Sequence, residues 1–263
     1  MSLRLEKKPN HTRKKSLMPY EIVIVCVRPV DIVMSHALIF CKHYHLPSTQ
    51  ITLFFQTLEE AVAARHVIPT TSVGRIVTGR KGVAELYNFV FSFYPEGKPL
   101  VFIHEAITGV YQFAPDAQTI FPISSMIGFM RVGFSEAQRA DSGLWGIYPV
   151  ASAAHMTDAV DVGLKRISNQ IWGCMNPGSV LERKQGGLED YEIPVLFHEL
   201  YGRIVRLRGF AANPIQDDKS SALAPPSPRK FCSMYSNVSR IDSKGNLRLM
   251  AVQESHEEEK EAF

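Results

Sequence analysis

LVFIHEAITG, residues 100–109, carries four apolar residues straight into His104 and Glu105 and leaves through Ala106, Thr108 and Gly109. A short apolar run bounded by polar residues reads as a strand buried on both faces. A buried strand that stops on a histidine and a glutamate stops at a candidate site. Working upstream from it, PEGKP turns the chain into the strand, and KGVAELYNFVFSFY (81–94) has helical spacing, with Val83, Leu86, Val90 and Phe93 on one face. GRIVTG (74–79) reads as a weaker strand. LEEAVAAR follows Thr57 with Glu60 three residues on, a capping box. ITLFFQ (51–56) is another strand, VDIVMSHALIFCKHYH (30–45) a helix, and EIVIVCV (21–27) a first strand broken by Arg28-Pro29. Four strands separated by three helices predict βαβ units, an α/β fold class and a mostly parallel central sheet flanked by helices. In such sheets ligands bind beyond the carboxyl ends of the strands. Arg28, His104 and Glu105 all fall at such ends.

Downstream the pattern is less regular. ISSMIGFMRVGF (123–134) reads as a helix or a buried apolar stretch, and SGLWGIYPV (142–150) and RISNQIWGCMNPG (166–178) each as a strand. LEDYEIPVLFHELYG (188–202) reads as a helix closed by Gly202, with Pro194 in its first turn or kinking it. RIVRLRGF (203–210) is a further strand, and KFCSMYSNVSRIDSKGNLRLMAV (230–252) reads as a terminal hairpin turning at Ser243-Lys244-Gly245. The expected organisation is a basic arm over 1–19, one domain over 20–250 with a flexible, proline-rich loop at 213–228, and an acidic tail over 251–263.

Composition agrees with a folded α/β protein. The chain has 263 residues, is 45% hydrophobic and 21% charged, and carries a net charge of +3. That charge is uneven: RLEKKPNHTRKKS holds six Lys or Arg against one Glu, whereas ESHEEEKEAF holds five Glu against one Lys. Both read as solvated tails, and the basic arm is a candidate contact for nucleic acid or a protein partner. The four cysteines show no C-x-x-C spacing and are expected as free thiols in an intracellular, cytoplasmic or nuclear setting. No apolar run approaches the roughly 20 residues needed to span a bilayer, so no membrane contact is expected.

No serine-hydrolase elbow, Walker loop or zinc spacing is present, and GRKG (79–82) lacks the further glycine of a dinucleotide fingerprint. His43 and His45 read as surface residues. Glu105 has two readings: a carboxylate holding a divalent ion against a diphosphate, or a cap for the next segment. SGLWGIYPV sets Trp145 and Tyr148 among Gly143 and Gly146, which suits close backbone approach to a ligand and equally suits core packing. Glu189 and Asp190 open a helix, where capping alone accounts for them; either in a cleft would also serve as a general base.

Taken in order, these stretches resemble the TET-associated glycosyltransferases, a GT-A-type family. The matching stretches are IVIVCVRP, LPSTQITLFF with Glu59-Glu60, GVAELYNFVFSFYPEGKPLVFIHEAITG, LWGIYPV at 144–150, and GLEDYEIPVLFHELYGRIVRLRGF. LWGIYPV agrees residue for residue with the family's Leu-Trp-Gly-Ile-Tyr-Pro-Val block. The resemblance spans roughly residues 21–250 and implies a Rossmann-like GT-A fold. It implies transfer of a sugar from a nucleotide sugar, UDP-linked, to an acceptor hydroxyl, with a hydroxymethylpyrimidine in DNA as acceptor. Arg28, Asn88, His104, Glu105, Trp145, Gly146 and Tyr148 would bind the donor, Glu105 would be the metal ligand, and Glu189 or Asp190 the catalytic base. The sequence departs from the family at two places. Three aspartates are expected at 104–106, and only Glu105 is a carboxylate, which puts dependence on manganese or magnesium in doubt. The arginine expected beside Asn88 is Tyr87. The alternative is therefore a pseudo-enzyme, a glycosyltransferase fold acting as a binding or scaffolding module.

Overall fold

The computed structural model describes residues 20–214 and 227–250. The basic arm, the acidic tail and residues 215–226 of the expected 213–228 loop lie outside the described residues, and the ends of that expected loop are strand at 213–214 and helix from Pro228. The chain begins with strand β1 (Glu21–Cys26), followed by one continuous helix, α1 (30–43), whose middle turn Val33–Ala37 is π-helical. Then come β2 (Ile51–Phe55), α2 (Leu58–Val67), β3 (Arg75–Thr78), α3 (Val83–Phe93) and β4 (Pro99–Ile103). The Thr57–Glu60 capping box at the start of α2 is complete in both directions.

After β4 come β5 (Ile107–Ala114), β6 (Thr119–Pro122), α4 (Met126–Arg139), β7 (Leu144–Tyr148), β8 (Val160–Val162) and β9 (Ile171–Met175). The described chain closes with α5 (Glu189–Tyr201), β10 (Val205–Pro214), α6 (Pro228–Met234), β11 (Ser239–Ile241) and β12 (Leu247–Leu249). Ten strands form one sheet in the order β3-β2-β1-β4-β9-β7-β10-β5-β6, with β8 paired to β10 off this path. β3, β2, β1 and β4 are parallel neighbours, as the βαβ reading requires. β9 runs antiparallel between β4 and β7, so β7 and its parallel neighbour β10 point the same way as β4.

The apolar residues divide by strand periodicity. Ile22, Ile24 and Cys26 face one core with α1, α2 and α4; Val23 and Val25 face the other with α3 and α5. The result is an α/β fold with helices covering both faces of a central sheet. The face predicted for α3 holds at Val83, Leu86 and Val90, but Phe93 is exposed, and Tyr87 and Phe91 complete the buried stripe. At ten residues past Val83, Phe93 is rotated well off a stripe spaced three and four residues apart.

Two segments depart from the sequence reading. The chain after Glu105 enters β5, whose fully buried residues Ile107, Val110 and Phe113 are spaced by three and hide the period of two. KFCSMY is largely α6, not a strand, started by Ser227, whose Oγ accepts the Lys230 N–H, and by Pro228 in the first turn. Pro194 is the sixth residue of α5, beyond its first turn. Proline leaves the carbonyl four residues before it without a helical donor, and that carbonyl, of Asp190, accepts the Ile167 N–H at 3.3 Å.

Candidate functional site

β1 leads through α1 and α2 to β2 and β3 on one side, whereas β4 returns on the other side of β1. The boundary between β1 and β4 is therefore the topological switch point, where an open α/β sheet leaves a crevice at its carboxyl edge. Arg28 and Glu105 meet there. Glu105 Oε2 accepts the N–H groups of Val27 at 2.8 Å and Arg28 at 3.2 Å. Its Oε1 lies 3.5 Å from Arg28 Nε, with the Glu105 side chain 1% exposed and that of Arg28 16%. The carboxylate staples the two strand ends together and holds the guanidinium at the mouth. Beside it, His104 Nδ1 accepts the Ala106 N–H at 3.1 Å, which assigns the proton of the neutral ring to Nε2.

A second cluster of charged residues comes from the first turn of α5 and the loop before it. Arg183 is wholly buried there. Its Nε donates to Glu192 Oε2 at 3.1 Å, its Nη2 to the Gln185 carbonyl at 2.8 Å, and its Nη2 also lies 3.4 Å from Glu189 Oε1. Glu192 is saturated from the other side by the N–H groups of Lys184 and Gln185 and by the Tyr235 hydroxyl. The Arg183 guanidinium stands 4.5 Å over the Tyr87 ring, which stacks on Phe102 and Trp172. Burial works to raise the Glu189 carboxyl, but Arg183, the N–H groups of Glu189 and Gly187, and nearby His104 outweigh it and hold it below the usual range. Asp190 goes the other way: burial raises it, although Arg166 binds it at 2.7 Å and pulls it down. Of the two carboxylates, Glu189 is the one whose titration His104 influences.

The remaining predicted residues lie elsewhere. Trp145 is fully buried in the core under α4, edge-on to Phe129 and Phe134. A Cβ at Gly133 or Gly173 would come within 2.4 or 2.5 Å of its ring, so these two glycines make its room. Gly146 abuts Ile167, where a Cβ would reach 2.6 Å. Tyr148 ends β7 with the Arg206 guanidinium 5.1 Å over its ring. Asn88 pairs through its amide with both the N–H and the C=O of Arg183, at 2.8 and 3.0 Å. It lines a separate cleft of about 590 Å³ between α3 and residues 179–184, with Arg80, Phe89 and Lys184.

Arg183 is the buried charge at the centre of this cluster, and the sequence reading missed it. Nothing local in GSVLERKQGG marks it; its only trace is the spacing of Glu189 and Glu192 on one helical face. The divalent metal implied by the resemblance does not fit these residues. A hard cation needs several oxygen ligands, whereas Glu105 is the sole carboxylate of HEA and both its oxygens already face N–H donors. Among the described residues, no group of three His, Cys, Asp or Glu side chains is placed to hold an ion.

No protein-family model and no curated protein sequence matches the chain. Among solved structures, the fold is similar to that of S. aureus TarS 1–349 in complex with UDP-GlcNAc, with a TM-score of 0.54 at 10% identity. That match covers 82% of this chain and 64% of the TarS chain, so the protein spans just under two thirds of it. A second structure of S. aureus TarS 1–349 gives a TM-score of 0.46 at 10% identity, covering 74% of this chain and 60% of that one. The likeness establishes a GT-A glycosyltransferase fold. No helix among the described residues is long and apolar enough to cross a membrane.

Proposed function

We propose that the protein is a glycosyltransferase that binds a nucleotide-sugar donor in the β1/β4 crevice and passes the sugar to an acceptor hydroxyl. The observation that carries this reading is the meeting of Arg28 and Glu105, with His104 beside them, at the switch point of a GT-A fold. The donor is UDP-linked, as in the TarS complex with UDP-GlcNAc. Glu189, ionised at neutral pH and in reach of His104, is the general base that takes the acceptor proton as the new bond to the anomeric carbon forms. Asp190, bound to Arg166, supports the helix start. The acceptor follows the resemblance to the TET-associated family: a hydroxymethylated pyrimidine in DNA.

A second reading is favoured by Glu105 itself, whose carboxylate binds the end of β1 through Oε2 and faces Arg28 through Oε1. In that reading the fold binds a nucleotide or a partner without transfer. Thermal shift with UDP-glucose and UDP-GlcNAc, with and without manganese, followed by mass spectrometry of hydroxymethylcytosine DNA after incubation, separates the two. A donor-specific shift with a sugar-mass increment, lost in Glu189→Gln, supports the transferase. A shift with no transfer to that DNA or to water leaves the binding module, and no shift with any donor refutes the donor site.

A further inference from the structure

We infer that the charge of the donor diphosphate is countered by the Arg28 guanidinium, held in place by Glu105, and not by a divalent metal; this rests on the donor site proposed above. Three observations lead to it. First, a metal at Glu105 would have to displace two backbone N–H groups from Oε2 and the guanidinium from Oε1. It would gain one carboxylate, flanked by a histidine and an alanine, which is a poor set for a hard cation. Second, Arg28 already stands where the metal's charge would act, at the carboxyl end of β1 beside β4. It is the crevice cation with access to the mouth, since Arg183 is completely buried whereas Arg28 is 16% exposed. Third, its position is fixed from the backbone outward. Pro29 follows it and favours an extended Arg28, its own N–H is bound to Glu105, and the helix that starts after Pro29 turns its N-terminal end toward the same crevice. A guanidinium suits phosphate oxygens through paired, charge-assisted hydrogen bonds.

In the transfer itself, the bond between the anomeric carbon and the diphosphate oxygen breaks, and its electron pair stays on that oxygen. The acceptor oxygen bonds to the carbon, and its proton goes to Glu189. Arg28 stabilises the charge left on the diphosphate, which is where a fixed cation contributes most. Glu105 is then a positioning residue for Arg28.

The test is titration calorimetry with UDP and with uridine, each in excess chelator and in manganese. UDP should bind the unaltered protein with affinities within about twofold in the two buffers. Arg28→Met should weaken UDP by about tenfold while leaving uridine unchanged, and Arg28→Lys should fall between. The buffer comparison on the unaltered protein holds even if Arg28→Met fails to fold. UDP binding that appears only with manganese, or that survives Arg28→Met, or a folded Arg28→Met protein that loses uridine equally, overturns the inference and leaves the donor site standing. Binding of neither UDP nor uridine in any buffer overturns the donor site, and the inference with it.

Discussion

Replacing Glu105 decides whether its carboxylate is a fold element or an idle metal ligand. In Glu105→Ala the N–H groups of Val27 and Arg28 lose their acceptor and the Arg28 guanidinium loses its partner, all at a position 1% exposed. An orphaned buried N–H costs about 1–3 kcal/mol, and breaking a buried ion pair by removing one partner about 3–5 kcal/mol. These losses overlap, so the expected destabilisation is about 3–5 kcal/mol. Glu105→Gln keeps an oxygen for the two N–H groups but turns an amide N–H toward the guanidinium, and should cost about 1–2 kcal/mol. Urea denaturation reads both. For a slope of about 3 kcal/mol/M, the alanine variant lowers the midpoint by about 1–1.7 M, with the slope unchanged. If Glu105 were instead held ready for a metal, its burial would be strain, and removing it would leave the midpoint unchanged or raise it. That result, or a manganese-induced rise in the midpoint of the unaltered protein, refutes the staple.

Tyr87→Arg, which introduces the residue that the resemblance implies, should destabilise by about 3–5 kcal/mol, because it sets a second guanidinium against Arg183 and removes a ring stacked on Phe102 and Trp172. Thermal melting at or above the unaltered value would show that Arg183 does not occupy that space. Gly133→Ala should cost about 1–3 kcal/mol by pressing a Cβ to 2.4 Å from Trp145, and Trp145→Phe in the same chain should recover part of that loss; additive costs would mean the helix and the ring are not in contact. Glu189 is depressed in the folded state, so its stabilisation is full above its unfolded value of about 4.3 and is lost as pH falls through its lower folded value. Glu189→Gln should therefore flatten the fall of stability below about pH 5, measured by urea midpoints across pH, and an unaltered slope would contradict the Arg183–Glu189 contact.

The amino-terminal half was legible because each of its elements is announced locally. Apolar β-branched runs end at Arg28-Pro29 and at HEA, Thr57 and Glu60 form their capping box, and the stripe on α3 repeats at helical spacing. From those alone the βαβ order follows, and with it the edge where a site must lie. β5 was hidden because its buried residues repeat by three, and α6 because an apolar, aromatic string masked the Ser227-Pro228 start signal. LWGIYPV misled in a different way. Aromatic and glycine residues together suit a ligand and suit a dense core equally, and only the positions of Gly133 and Gly173, far away in sequence, assign Trp145 to the core.

The site itself divides along the same line. The resemblance to the TET-associated family implies carboxylates at 104 and 106 and a cation at 87, and the chain has none of the three. What stands in their place is a matter of pairings between distant segments, which no local pattern carries. Arg28 reaches Glu105 across 77 positions, and Arg183 is brought back to α3 through Asn88, 95 positions away. Two guanidinium groups from other elements stand at these segments, one paired with Glu105 at the β1 end and one laid on the ring of Tyr87. Here Glu105 holds Arg28 and the Tyr87 ring carries Arg183, so both positions are built into pairings with segments far away in sequence.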